Sequence, residues 1–283
     1  MKSYLDLLYK CLIHGKEHHD RTGVGTHRLH GQSLHHDLRD GFPLLTTKRM
    51  PLRTIDGELK WIVSGSRWEA DVGSSIWAAW ATHEKCSVFG RNAGNLGPTY
   101  GPMLRRFPVG ITEDDPHGLP PVCVDQLAEL MYELEENPDS RRLLISLWHP
   151  YYQQRCTVPP CSVLYQLHAS HADSDLSMTV YWRSSDIFLG LPFDIASSAM
   201  LLSAIAAACK PVRKPAMLYC NFGDLHLYNN HRDQAKEQLN REPRELPSID
   251  VEATWHAAAY ELAWRWKLNG YFPDPAIAGE VAV

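Results

Sequence analysis

The sequence predicts an α+β fold. Helix-period and strand-period segments are both present, they do not alternate as regular βαβ units, and no repeat, low-complexity tract or Pro/Gly/Ser linker divides the 283 residues. The chain therefore reads as one domain, residues 1–283. Tyr4, Leu5, Leu8, Cys11 and Leu12 recur at helical spacing within residues 2–15. Glu58 to Val63 is the body of a second helix. In DQLAELMYELEENPDS (125–140), Leu127, Leu130, Met131 and Leu134 share one helical face, and Asn137-Pro138 ends it. RRLLISLW (141–148), SVLYQLHAS (162–170) and LSMTVYWR (176–183) read as successive strands, the last two as a hairpin across HADSD. Asp194 to Cys209 is apolar nearly all round, which predicts a buried central helix. LYCNFGDLHLY (218–228) returns to strand character.

Composition narrows the function classes. The chain is 44% hydrophobic and 22% charged, with a formal net charge of −5. A weakly acidic protein gives no electrostatic case for duplex nucleic acid or a membrane surface, although a local arginine cluster still suits a small anion. The seven cysteines are odd in number and none forms a Cys-x-x-Cys pair, so neither a disulfide framework nor a zinc ribbon is indicated. MKSYLDLLYKC lacks the uninterrupted apolar core of a signal peptide. No apolar run reaches the length of a membrane span; the nearest is IASSAMLLSAIAAAC. The expected setting is a soluble, reducing cytoplasm.

Cys161, in TVPPCSVLY, is by default a small buried hydrophobe; a catalytic thiolate needs positive charge nearby. Arg21 in DRTGVGT, the pair Arg141-Arg142, and Arg183-Ser184 are each ordinary surface residues when taken alone. Together they make a candidate cradle for a phosphate dianion, a task that suits guanidinium forks. His226 and Tyr228 in GDLHLYNNH share a strand face at i, i+2 spacing. They are a structural pair, or two hydroxyl-binding groups fit for a sugar. Glu58 shares a helix with Trp61 and is a surface carboxylate or, if buried, a proton carrier. Asp194 is either an N-cap of the apolar helix or a carboxylate awaiting a partner. His18, His19 and Asp20 offer no metal-ligand geometry, and no metal is expected.

The ordered segments DRTGVGT, GFPLLTTKR, LGPTYG, DQL, NPDSRR, PPC, RSSDIFLGLPFDIAS, GDLHLYNNH, REPRELP and PDPAIAGEVAV resemble the thymidylate synthase family along nearly the whole chain. The resemblance implies a mixed sheet packed with helices, and a homodimer with its sheets back to back. Each site would borrow Arg141 and Arg142 from the partner chain. It implies 5,10-methylenetetrahydrofolate as co-substrate and Cys161 as the nucleophile at C6 of the pyrimidine. Tyr100 and Glu58 match residues that manage proton transfer. Trp77, Trp80, Asp186 and Val283 match the folate side and its closing tail. Arg21, Arg183 and Ser184 match phosphate contacts, and His226 and Tyr228 match contacts to the deoxyribose 3′-hydroxyl.

Four departures bear on the substrate. Pro51 and Ser162 stand where the family usually has His, Trp182 where it has Gln, and Asp194 where it has the base-reading Asn. The last favours dCMP over dUMP. The resemblance with these departures implies transfer to C5 of dCMP giving 5-methyl-dCMP, chemistry suited to DNA modification. Three alternatives stand beside it: a dCMP hydroxymethylase giving 5-hydroxymethyl-dCMP, thymidylate synthesis from dUMP, and a non-catalytic nucleotide- or RNA-binding homologue. Trp77 and Val283 favour methyl by excluding water, while the small Val158 and Ser162 favour its admission.

Overall fold

The computed structural model describes residues 1–20, 22–109 and 122–282. Its helices are α1 (Lys2–His14), α2 (Leu52–Ser64), α3 (His83–Ser87), α4 (Tyr100–Arg105), α5 (Gln126–Glu136), α6 (Gly190–Ala208) and α7 (Arg232–Leu239). Its strands are β1 (Lys16–His18), β2 (Thr26–Asp37), β3 (Phe107–Pro108), β4 (Cys123–Val124), β5 (Leu144–Ser146), β6 (Ser162–His168), β7 (Asp175–Asp186), β8 (Lys214–Tyr228), β9 (Ser248–His256) and β10 (Glu261–Asn269).

Six strands form a mixed sheet in the order β1-β2-β8-β7-β6-β5. The expected β6–β7 hairpin is present and antiparallel, whereas β7 and β8 pair in parallel. A parallel pair needs a crossover, and α6 supplies it. Leu176, Met178, Val180 and Trp182 on β7 alternate with exposed or half-buried residues, as do Leu218, Cys220 and Phe222 on β8. These apolar residues belong to the core against which α6 packs. The antiparallel β9–β10 hairpin, which the sequence reading did not anticipate, also packs against α6. Ser177, Thr179, Tyr181, Met217, Tyr219 and Asn221 are the alternating residues left exposed or half-buried.

Three expectations need correction. The strand expected over 141–148 is only Leu144–Ser146, because Arg141 and Arg142 sit in an exposed turn where the Ser140 hydroxyl accepts the Arg142 N–H. The apolar helix starts at Gly190, four residues before Asp194, since Pro192 falls in the first turn, where no N–H partner is lost. At 19 residues α6 is long and apolar enough, by length and composition, to cross a bilayer, contrary to the sequence estimate; here it is a buried core helix. Asp194 is thus the fifth residue of α6 and not its cap; that position belongs to Leu189.

Candidate active site

Two prolines precede Cys161, and they shape its surroundings. Proline has no N–H to give to a sheet ladder, so the chain reaches β6 with free carbonyls. Arg183 on β7 takes them: its Nε and Nη2 donate to Pro160 and Pro159 at 2.8 and 2.9 Å. The Arg183 backbone N–H donates to the Cys161 carbonyl at 2.9 Å. From the other side, the Cys161 N–H donates to the Tyr100 hydroxyl at 2.8 Å, which ties the first turn of α4 to the thiol's position. The cysteine itself is half-buried.

Burial pushes the Tyr100 phenol well above its usual pKa, with the nearby Cys161 and Asp194 adding to the effect. The phenol therefore keeps its proton and can donate it while accepting from Cys161. Burial also raises Glu58, to about 7, against the opposing hydrogen bond from Trp77. That bond, from indole Nε1 to Oε1, is 2.8 Å long. A carboxyl poised near neutrality can take up and release protons in one cycle. Trp77 is wedged among Trp61, Trp80 and Tyr100, with ring centroids 5.5, 5.5 and 5.8 Å away.

Asp194 projects from α6 into the same neighbourhood. Burial drives its carboxyl well above the ordinary range, and the charges of Glu58 and Asp186 push the same way. Among the described residues, no side chain or backbone N–H donates a hydrogen bond to it. The residue is only half-buried, which leaves the carboxyl open to a partner from outside the fold.

The β7–β8 pairing assembles a second part of the site. Ser184 is in register with Asp224, and Asp186 with His226. The Asp186 Oδ1 accepts from the Phe188 and Leu189 N–H groups at 2.9 and 3.3 Å, so it also fixes the turn into α6. His226 and Tyr228 meet edge to face at 5.2 Å. Arg141 and Arg142 are exposed, and they make none of the hydrogen bonds described around Cys161. Arg21 and Val283 lie outside the described residues. Just before the latter, the Glu280 carbonyl lies 2.8 Å from Nε2 of the buried His231.

A match to a family model described as thymidylate synthase covers residues 2–283. The chain belongs to the thymidylate synthase family. Its reaction class is therefore folate-dependent one-carbon transfer to C5 of a pyrimidine nucleotide, with 5,10-methylenetetrahydrofolate as the family's co-substrate. The rings of the buried Trp77 and the partly exposed Trp80 meet at an interplanar angle of 57°. Among the described residues no group of His, Cys, Asp or Glu could hold a metal ion.

Of the four positions set apart in the sequence, Ser162 and Trp182 are neighbours. A register shift between Ser162 and Leu164 turns Ser162 and Tyr165 to the same side, and the Tyr165 hydroxyl donates to Ser162 Oγ at 2.9 Å. Trp182 pairs with Ser162 in the ladder and stacks on Phe222 at 5.5 Å. Pro51 sits at the N-cap of α2, where its carbonyl accepts from Thr54 and Ile55. Sequence reasoning missed Tyr165, because a bulge leaves no signature in strand parity. It also missed Asp224, which the i, i+2 spacing before His226 does signal.

Proposed function

We propose that the protein transfers the one-carbon unit to C5 of dCMP, giving 5-methyl-dCMP. The observation that carries this reading is Asp194: a half-buried carboxyl, without a hydrogen-bond donor among the described residues, whose pKa burial and the charges of Glu58 and Asp186 raise. Cytosine presents an N3 acceptor beside a 4-amino donor. A protonated Asp194 donates to N3 and accepts from the amino group. As the Cys161 thiolate adds to C6, basicity at N3 rises and the proton passes from Asp194 to N3. C5 becomes an enamine-like carbon able to attack an electrophile. The folate, when bound, supplies that electrophilic methylene and then a hydride. Glu58 and Tyr100 are the groups placed to take the C5 proton and relay it.

Ser184, His226 and Tyr228 are assigned to the phosphate and sugar, as the family pattern implies. Arg183 is assigned to the phosphate with Arg21. Arg141 and Arg142 fit the same phosphate from a partner chain: both are exposed, and no side chain among the described residues pairs with their guanidinium groups. The uncovered sheet face around Tyr181 and Tyr219 suits back-to-back pairing of two copies. Methyl is preferred over hydroxymethyl because Trp77 packs tightly over Glu58 and keeps water from the reacting carbon.

The test is incubation with 5,10-methylenetetrahydrofolate and either dCMP or dUMP, followed by mass spectrometry of the nucleotide and assay of the folate product. Methylated dCMP with dihydrofolate is expected. Hydroxymethyl-dCMP with tetrahydrofolate would replace the methyl assignment by its hydrated counterpart. Turnover of dUMP alone would overturn the cytidylate assignment. Cys161→Ser should lose activity in every arm while still binding nucleotide; binding without turnover by the unaltered protein would favour the non-catalytic reading.

A further inference from the structure

His226 has a carboxylate behind it. Its Nδ1 lies 3.0 Å from Asp224 Oδ1, two residues earlier on the same face of β8. The other Asp224 oxygen faces Arg28 Nη1 at 3.4 Å and His30 Nε2 at 3.7 Å, both from β2. Arg28 is anchored in turn, its Nε donating to Thr26 Oγ1 at 2.9 Å. The His226 side chain is 11% exposed, and the Tyr228 ring stands perpendicular to it, so the imidazole has little freedom to swing.

We propose that Asp224 is a positioning residue that fixes the His226 proton on Nδ1, so that Nε2 presents a bare lone pair and selects a ligand hydroxyl that donates. The inference rests on the sugar-binding assignment of His226 given above. An ionised carboxylate can only accept, so the hydrogen bond between the two residues requires the proton on Nδ1. Burial raises the Asp224 carboxyl, but the hydrogen bond from His226 and the neighbouring Arg28 charge help to hold its pKa below the ordinary value. In a neutral imidazole so held, Nε2 has no proton to give. A sugar 3′-hydroxyl satisfies that nitrogen. A 3′-hydrogen leaves it unpaired, and a 3′-fluorine sets lone pair against lone pair.

The tautomer is read directly from imidazole ¹⁵N shifts and long-range ¹⁵N–¹H couplings in the unliganded protein at pH 7.5. Wild type is expected to show His226 as the Nδ1–H form. Asp224→Asn, whose amide can donate to Nδ1, should move the population toward Nε2–H. In binding, wild type should prefer dCMP to its 2′,3′-dideoxy-3′-fluoro analogue, whose 3′ group can only accept, by about tenfold or more. The variant should shrink that ratio to within about threefold, through Kd more than kcat. The dUMP pair, run alongside, keeps an error in the base assignment from masking the result. A wild-type Nε2–H or doubly protonated ring overturns the proposal, even if the variant does not fold. An unchanged tautomer and ratio in a folded variant overturns it as well. Either result leaves the one-carbon transfer standing, because the spectroscopic arm involves no turnover.

Discussion

The indole N–H of Trp77 donates to the Glu58 carboxylate at 2.8 Å, and this hydrogen bond holds the Glu58 pKa down against burial. Trp77 thus does more than pack against its neighbours. It sets the pH at which Glu58 changes from base to acid.

Trp77→Phe keeps the apolar bulk and deletes the donor. Glu58 then rises further above about 7. A hydrogen bond to a charged group is worth about 1.5–3 kcal/mol, and one pH unit corresponds to about 1.4 kcal/mol. The acid limb of the kcat–pH profile should therefore move alkaline by about one to two pH units. A limb that stays in place would show that Glu58 is not the titrating group.

Glu58→Gln should stabilise the fold while removing activity. A carboxyl raised from 4.5 to about 7 contributes stability that is complete below about pH 4.5 and lost as pH rises through 7. The Gln variant escapes that loss. Its Tm should exceed that of wild type at pH 8 and match it near pH 4.5, with a gain of at most about 3.5 kcal/mol. Asp194, raised by the same burial, has the same sign. Equal Tm values at pH 8 would mean that Glu58 is solvated and not desolvated.

Most of this site was legible as residue types, and less of it as geometry. Cys161 after two prolines, the apolar helix after LPFD and the paired β6–β7 strands follow from local pattern, because each depends on neighbours within a few residues. The true start of α6 did not, since Pro192 reads as a breaker unless its place in the first turn is known. Tyr165 was invisible because one bulge between Ser162 and Leu164 inverts strand parity. The β9–β10 hairpin was passed over although its strands alternate cleanly. The Asp194 environment depends on three elements distant in sequence meeting, which no local pattern encodes.

Mixing Arg142→Ala and Cys161→Ser homodimers tests the shared site. If each site takes its arginines from the partner, subunit exchange leaves one of the two sites in a heterodimer with both Cys161 and Arg142 intact. Activity should recover to about a quarter of wild type at full statistical exchange. Demonstrated exchange with no recovery would argue against a site shared between the two chains.

Asp194→Asn addresses the substrate most directly. The capping explanation is closed, because Asp194 is the fifth residue of α6 and Leu189 holds the cap. Before reaction, both a protonated carboxyl and an amide present one donor and one acceptor, so either can match cytosine or uracil. The difference comes when the thiolate adds. Cytosine then needs a proton at N3, which a carboxylic acid can release and an amide cannot. Uracil needs only continued donation to O4 and acceptance from N3–H, which an amide sustains. The variant should therefore lose kcat on dCMP with little change in KM, and gain relative activity on dUMP. A mismatched buried polar edge costs about 1–3 kcal/mol, so the ratio of kcat/KM values should move about tenfold to a hundredfold toward dUMP. A ratio that does not move would mean Asp194 never touches the base, and the dCMP assignment would fall with it.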